Sequence, residues 1–215
     1  MRTFLHTAGR HLASSLIALG IGFAAPAAHA ALVSATNSVG GSADDSFIDR
    51  SVNIVSGGLI TDLNITVSWS KCGQGFTANY FCNGGDFPFP GEAYMTLTGP
   101  TGIAVSLFPS SYFSGPGSSI DVTNTFDDEA ASALPGTIQS GSFRPVGSLS
   151  AFDGTDVFGL WTLRIGDIVF FDPILFRSFT LNVTTQEQGV PEPGSLALLG
   201  LGLAGLAGMR RRKAV

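Results

Sequence analysis

Carboxylates are the residues of this sequence whose types and spacing most clearly suggest chemistry. Asp127, Asp128 and Glu129 are consecutive, and together with Asp121 upstream they form the densest group of hard oxygen ligands in the chain. Calcium takes about six to eight oxygens from carboxylates and loop carbonyls, so these four residues are a candidate calcium site, although they do not have EF-hand spacing. A solvated acidic loop explains the same residues equally well. The sequence leaves both alternatives open and suggests no other cofactor.

The two cysteines are the second chemical feature. Cys72 and Cys82 are the only cysteines in the sequence, and in an exported chain such a pair is more often a disulfide than a metal site. Bridging them would close a loop of about ten residues and restrict the unfolded chain by about 2–3 kcal/mol. We therefore predict a Cys72–Cys82 disulfide.

Histidine chemistry is excluded if the N-terminal segment is a removable leader. All three histidines lie within residues 1–30. This segment has a basic start, an apolar stretch and small residues at Ala28 and Ala30, as a signal peptide does. Its apolar stretch is shorter than the ~20 residues of a membrane-spanning helix. With cleavage by signal peptidase after Ala30, no histidine would remain for a Ser-His-Asp triad or for most zinc sites.

The charge of the remaining chain restricts its partners. Residues 31–190 contain five basic and fifteen acidic residues, a formal charge of −10. This excess repels phosphate backbones and attracts cations, so we predict no nucleic-acid partner. Without histidine, Lys71 and the carboxylates are the remaining candidate bases, and no carboxylate pair is singled out for glycosidase work. We therefore predict that the chain is not an enzyme.

The C-terminal segment has three parts in a fixed order. The first is Pro191-Glu192-Pro193, the second is an apolar run over residues 196–209, and the third is the basic cluster Arg210, Arg211, Arg212 and Lys213. As a helix, the fourteen apolar residues would extend only about 21 Å, less than a ~30 Å hydrocarbon core. The basic cluster still favours membrane association, because arginine and lysine stop transfer and stay on the cytoplasmic side.

These three parts resemble the PEP-CTERM sorting signal of Gram-negative bacteria. The resemblance implies recognition by a membrane-embedded exosortase and cleavage near Pro191. It also implies passage from an inner-membrane-anchored precursor to the cell surface or an extracellular matrix containing exopolysaccharide. We accordingly divide the chain into a signal peptide (residues 1–30), a folded module (31–186) and a sorting tail with a short transmembrane helix (187–215).

The folded module has an all-β pattern, because short β-like runs alternate with clusters of Gly, Pro, Asn, Asp and Ser. Residues 63–69 alternate apolar and polar side chains, as a strand with one buried face does. Residues 94–98 and 103–107 flank turn formers and predict a hairpin. Residues 160–165 and 176–183 predict two final strands whose apolar faces pack near each other. Several half-buried strands favour a sandwich, since a single sheet would leave its apolar face uncovered.

The order of these pieces resembles the P-domain, the jelly-roll module that follows the catalytic domain of proprotein convertases. The residues that carry the resemblance are Gly159-Leu160-Trp161-Thr162-Leu163, the hairpin turn at 97–102 and the acidic turn at 125–130. The resemblance implies a jelly-roll-type β-sandwich over residues 46–183, with calcium bound near the acidic turn. An insertion at 71–91, which contains both cysteines, departs from the family pattern.

Aromatic residues fall into two groups. Trp69 and Trp161 lie on alternating strand faces, where core packing is the common role. The candidates for an exposed ligand surface are in the inserted loop, because loops collect binding residues: Phe76, Tyr80, Phe81, Phe87 and Phe89. We therefore expect an exported, exosortase-sorted surface or matrix protein with a non-catalytic structural or adhesive sandwich. A lectin-like carbohydrate-binding module and an accessory domain of a secreted hydrolase remain alternatives.

Overall fold

A computed structural model describes residues 30–73, 75–85, 87–115, 117–186 and 200–203. Within these residues there are ten strands, and two short 3-10 helices lie at Pro90–Glu92 and Leu149–Phe152. The strands are β1 (Ala30–Asn37), β2 (Gly41–Ala43), β3 (Ser46–Ile54), β4 (Leu59–Lys71), β5 (Ala93–Thr98), β6 (Ala104–Phe108), β7 (Ile120–Phe126), β8 (Gly141–Phe143), β9 (Gly159–Asp167) and β10 (Ile174–Gln186). The predicted signal peptide, apart from Ala30, and most of the sorting tail lie outside the described residues.

The strands form two sheets that pack face to face, which confirms the predicted all-β sandwich. The larger sheet has the order β1-β10-β4-β7-β8, and β2 also pairs with β10. The smaller sheet has the order β3-β9-β5-β6. Among the pairs of the described residues, β7 and β8 run parallel and the others are antiparallel.

The alternating pattern of the sequence builds the core between the sheets. Leu63, Ile65, Val67 and Trp69 of β4 are almost completely buried, as predicted. The buried face of β9 is Trp161, Leu163 and Ile165, and that of β10 is Phe179, Leu181 and Val183. Since β9 and β10 are in opposite sheets, these faces pack across the interior. Burying one such side chain contributes about 1.5–3 kcal/mol.

The predicted hairpin is present as β5 and β6, which pair antiparallel. Its turn is closed by the Gly99 N–H, which donates to the Ile103 carbonyl at 2.9 Å, and by the Gly102 N–H, which donates to the Gly99 carbonyl at 3.0 Å. Gly102 has a φ of 84°, a conformation that favours glycine. The turn formers of the sequence therefore have the role that was predicted for them.

The two ends of the sandwich can be defined by the residues at which the strands of the larger sheet begin and end. At one end, β1 begins at Ala30 opposite Gln186, the last residue of β10; we call this the proximal end. At the other, the distal end, Lys71 finishes β4 opposite Ile174, the first residue of β10. The thirteen residues of β10 extend about 40 Å between the two ends. In the described part of the chain, no helix is long and apolar enough to cross a membrane.

Candidate functional site

The predicted disulfide is present at the distal end. Cys72 follows β4 directly and is bonded to Cys82, with 5.4 Å between their Cα atoms. The Cys82 N–H also donates to the Asp121 carboxylate at 3.1 Å, where β7 begins. The inserted loop is therefore fastened to two strands of the larger sheet.

Arg177 of β10 also contacts the inserted loop. It occupies an irregularity in the pairing of β10 with β4, between Phe176 and Ser178. Its guanidinium donates to the carbonyls of Trp69 at 2.6 Å and Tyr80 at 2.9 Å, and it stacks on a ring of the inserted loop. That ring is Phe81, with its centroid 4.4 Å from the Arg177 Cζ. Burial lowers the pKa of Arg177 from its usual value, against the opposing effect of Asp121.

A buried ionic cluster underlies the distal loops. The Lys71 ammonium is inaccessible to solvent and donates to the Asp167 carboxylate and to the Asp172 carbonyl. The carboxylates of Asp172 and Glu92 lie 3.1 Å and 3.6 Å from the Lys71 Nζ. Three carboxylates thus surround one ammonium group. Removing that ammonium would leave buried carboxylates without a counter-charge.

The surplus of carboxylates changes their ionisation. Burial raises the pKa of Glu92 to about 7, and the neighbouring Asp172 carboxylate adds to this effect, whereas Lys71 opposes it. Burial likewise raises the pKa of Asp167, despite its contact with Lys71. A protonated Glu92 reduces the repulsion among the three acids. Since the pKa of Glu92 is about 7, the cluster loses a proton as the pH rises through neutrality.

The cluster fixes two surface loops. The Phe89 N–H donates to the Asp172 carboxylate, and the Val169 N–H donates to Asp167 Oδ1 at 3.1 Å. The Ile168 N–H donates to the Glu92 carbonyl at 3.2 Å. The loop that follows β9 and the end of the inserted loop are thus both attached to the same buried charges.

These loops expose apolar side chains to solvent. The exposed residues, which we call the distal apolar patch, are between 44% and 70% accessible: Phe47, Phe87, Phe89, Ile168, Val169, Phe170 and Phe171. Phe171 has a φ of 110°, and its N–H donates to Asp44 Oδ1 at 2.9 Å. A non-glycine residue in that conformation is strained, and such strain persists where the surroundings impose it. Exposed apolar side chains gathered at one end of a fold are a candidate interaction surface.

The aromatic candidates from the sequence divide as follows. Trp69 and Trp161 are fully buried, which confirms their core role. In the inserted loop, Phe76, Phe81, Phe87 and Phe89 are exposed. Tyr80 is half-buried and stacks on Phe76, with 6.1 Å between the ring centroids. The inserted loop therefore does present aromatic rings to solvent.

The acidic turn is at a different place from Asp121. Asp121 lies near the distal start of β7, where its carboxylate accepts from Ser70, Arg177 and the Cys82 N–H. Asp127 comes after the other end of β7, six residues or about 20 Å along the strand. The structure therefore does not bring Asp121 together with the other three predicted calcium ligands.

Asp128 has a structural role in the turn. Its carboxylate accepts from the N–H of Leu149 at 3.1 Å and of Ser150 at 2.9 Å, and from the Ser148 hydroxyl at 2.5 Å. Partial burial favours the neutral acid, but these hydrogen bonds outweigh it and lower the pKa of Asp128. In the part of the chain that the structure describes, no group of three or more His, Cys, Asp or Glu side chains is arranged to hold a metal. Calcium binding at the Asp127–Glu129 turn stays a prediction.

Other carboxylates gather around this turn at the proximal end. Burial raises the pKa of Asp62, and the negative charges of Asp127 and Asp128 raise it further. Burial and the charges of Asp62 and Asp128 likewise raise the pKa of Asp153. A hydrogen bond with Asp127 raises the pKa of Glu129. The proximal end is therefore a region of mutual carboxylate repulsion.

Sequence reasoning missed the buried ionic cluster. It treated Lys71 only as a remaining candidate base and gave no role to Asp167, Asp172 or Glu92. The Lys71–Asp167 contact joins residues separated by 96 positions, and no local pattern predicts such a pairing. The one signal was Lys71 itself, a lysine that directly continues an alternating buried strand next to a cysteine.

A comparison with known protein families supports the predicted sorting signal in the C-terminal tail. The model of the PEP-CTERM protein-sorting motif matches residues 189–213, which contain Pro191, Glu192, Pro193 and the three arginines. This confirms the predicted sorting signal, and with it a protein that is exported as a membrane-anchored precursor and processed by an exosortase. No curated protein matches the sequence.

Two solved structures are similar in fold. The first is a crystal structure of the serine protease of Aeromonas sobria, with 12% identity and a TM-score of 0.44 over 76% of this chain and 28% of that chain. The second is a crystal structure of the same protease in complex with the chaperone ORF2, with 13% identity and a TM-score of 0.43 over 74% of this chain and 27% of that chain. This chain thus spans little more than a quarter of the protease chains that it matches.

Proposed function

We propose that this protein is a non-catalytic adhesive module, which the sorting pathway delivers to the cell surface or matrix and which contacts matrix polysaccharide through its distal end. The observation that carries the proposal is the distal apolar patch, which lies at the end opposite to Ala30 and Gln186. While the sorting tail holds the precursor at a membrane, the patch is the part of the sandwich farthest from the point where the chain leaves it. It is therefore placed to meet material outside the cell.

Charge favours an uncharged partner for this surface. Residues 31–190 have a formal charge of −10, which repels anionic polymers and anionic lipid. Lys71, at the same end, is buried among carboxylates and is not available to an anion. Neutral polysaccharide presents apolar sugar faces without a charge, and exposed aromatic rings can pack on such faces.

The non-catalytic part of the proposal is supported by the state of Lys71, the candidate base that is not a carboxylate. Nucleophilic catalysis needs a nucleophile within hydrogen-bond reach of a base. The Lys71 ammonium is instead occupied by two aspartates and a glutamate within the fold. Hydrolysis of a polysaccharide or peptide by the purified protein would contradict this part of the proposal.

An adhesion assay tests the location of the contact surface. Protein processed by the native host would be compared with Phe170→Ser/Phe171→Ser for retention on isolated matrix polysaccharide. Phe158→Ser is the matched control, because Phe158 has the same 58% exposure as Phe170 but precedes β9 at the proximal end. We expect the distal variant to lose most retention and the control to keep it. Equal retention of the distal variant and the unaltered protein would overturn the proposal.

A further inference from the structure

The outer face of the smaller sheet carries a groove that the sequence did not indicate. It is open to solvent and has a volume of about 590 Å³. The strand register aligns its side chains in rows across the sheet: Asp49, Arg164 and Thr96 form one row, and Ser51, Thr162 and Thr98 form the next. The groove is lined by Asp49, Arg164, Thr96, Thr162 and Thr98 of these rows, and by Tyr94 and Ala104, so its floor combines hydroxyl groups with apolar surface.

An ion pair in the lining of the groove is held in a fixed orientation. Arg164 donates to both carboxylate oxygens of Asp49, at 2.9 Å and 2.8 Å. Its guanidinium also stacks on the Phe47 ring, with the centroid 4.0 Å from Cζ. The two charged side chains remain 46% and 39% exposed, so both are accessible from the solvent side of the groove. The hydrogen bond from Arg164 lowers the pKa of Asp49, which keeps the carboxylate ionised as an acceptor.

An aromatic ring borders the ion pair. Phe47 and Tyr94 flank Gly166 across β3, β9 and β5. A Cβ atom at position 166 would overlap the Tyr94 ring, so glycine is what allows the ring to lie against the sheet at this point. Tyr94 therefore offers a ring beside hydrogen-bonding groups whose orientation is already set, which is the combination found in small-ligand sites.

The composition of the groove selects for a neutral ligand. Its one carboxylate and one guanidinium cancel in charge, and the hydroxyls of Thr96, Thr98 and Thr162 can both donate and accept. Across four strands the groove spans about 14 Å, more than the width of one sugar ring. It is open on the solvent side, so an extended chain can cross it.

We propose that this groove binds a neutral oligosaccharide, with adjacent sugar hydroxyls on Asp49 and Arg164 and one sugar face on Tyr94. This inference rests on the proposed adhesive function and assigns its sugar recognition to a particular site. The groove meets the distal apolar patch at Phe47, which belongs to the patch and supports Arg164. One polysaccharide chain can therefore contact both surfaces.

Binding of soluble oligosaccharides tests the groove separately from adhesion. Calorimetric titration of host-processed protein would use dextran, mannan, amylose, galactan and cellulose oligosaccharides, with alginate oligosaccharides as the anionic comparison. We expect at least one neutral probe to bind. Asp49→Asn should weaken it at least about tenfold, because it removes the charge from a hydrogen-bond acceptor, and Tyr94→Ala should weaken it by a similar factor, because it removes the ring that the sugar face contacts. Asp153→Asn, which makes the same chemical change at the proximal end, should bind as the unaltered protein does.

Three results would overturn the inference: no neutral probe binds, alginate binds more tightly than every neutral probe, or both groove variants bind with unchanged affinity. Unchanged melting temperatures of the variants would show that any loss arises from the groove. If the Phe170→Ser/Phe171→Ser variant loses adhesion while the groove variants keep oligosaccharide affinity, the groove inference fails and the proposed function stands. If the Phe170→Ser/Phe171→Ser variant adheres normally, the distal apolar patch is not the contact surface and the proposed function is contradicted, irrespective of whether the groove binds oligosaccharide.

Discussion

The distal and proximal ends of this sandwich differ in where their carboxylates lie. At the distal end, two buried aspartates and the partly buried Glu92 surround Lys71, and the loops fixed by them expose phenylalanines. At the proximal end, the carboxylates around the Asp127–Glu129 turn lie near the surface and repel one another. Buried ionic groups are costly to desolvate and specify one geometry, whereas surface charges mainly adjust solubility and stability. The geometry of the distal end therefore depends on its buried charges, whereas that of the proximal end does not.

Removing the central charge of the distal end should give the largest effect. We expect Lys71→Met to destabilise the protein by about 3–5 kcal/mol, because two aspartates would be left buried without a counter-charge. Arg164→Met is the exposed counterpart, for which an ion pair contributes about 0.2–1 kcal/mol. Denaturant unfolding measures both. A loss below about 1 kcal/mol for Lys71→Met would show that the cluster does not organise this end.

The disulfide should have the next largest effect. We expect Cys72→Ser/Cys82→Ser to destabilise the protein by about 2–3 kcal/mol, since the bond restricts a loop of about ten residues in the unfolded chain. Thermal unfolding of the variant, compared with the unaltered protein under oxidising and reducing conditions, measures this. The reduced protein should resemble the variant. If reduction changes nothing in protein from the native host, the bond makes no contribution to stability there.

Calcium binding tests the acidic turn at the proximal end. If the acidic turn binds calcium, stability should rise by about 2.7 kcal/mol at a hundredfold excess over Kd. Sodium at matched ionic strength is the control, because screening alone also relieves repulsion among surface acids. Asp127→Asn/Glu129→Gln should abolish the specific increment and preserve the hydrogen bonds of Asp128. Equal responses to calcium and sodium would identify the turn as a solvated loop.

The fold was largely predictable because its signals are local. Alternation in β4 and the turn residues between β5 and β6 each act within a few positions, so strands, hairpin and buried tryptophans could be assigned. The paired cysteines and the sorting tail are also local patterns. The likeness to the P-domain rests on such motifs, and the sandwich is consistent with it.

The candidate site was less predictable because its contacts are distant in sequence. Asp49 meets Arg164 over 115 positions, and Lys71 meets Asp167 over 96. Strand order and register decide these pairs, and neither can be obtained from hydrophobic periodicity alone. The same limit explains the placement of Asp121, which is close to the acidic turn in sequence but lies on the opposite end of a strand.

The smallest expected effect is a pH dependence that separates the two ends. The pKa of Glu92 is raised from 4.5 to about 7 in the folded protein, so the folded state binds more protons than the unfolded state between these values. Stability from this residue is therefore fully present below about pH 4.5 and is lost as the pH rises to about 7.

Glu92→Gln removes the titrating group and should flatten that part of the profile of stability against pH. Asp62, Asp153 and Glu129 also have raised pKa values and change stability in the same direction. Burial is the largest cause for Asp62 and Asp153, and a hydrogen bond with Asp127 for Glu129, but repulsion among these acids adds to each shift and is screened by salt. Unfolding measured from pH 4 to 8 at low and high salt distinguishes the two sources. We expect high salt to reduce the part of the proximal contribution that comes from repulsion, and to leave a difference between the unaltered protein and Glu92→Gln. Parallel profiles at high salt would mean that Glu92 titrates as a surface carboxyl, and that the distal end does not bury charge as described.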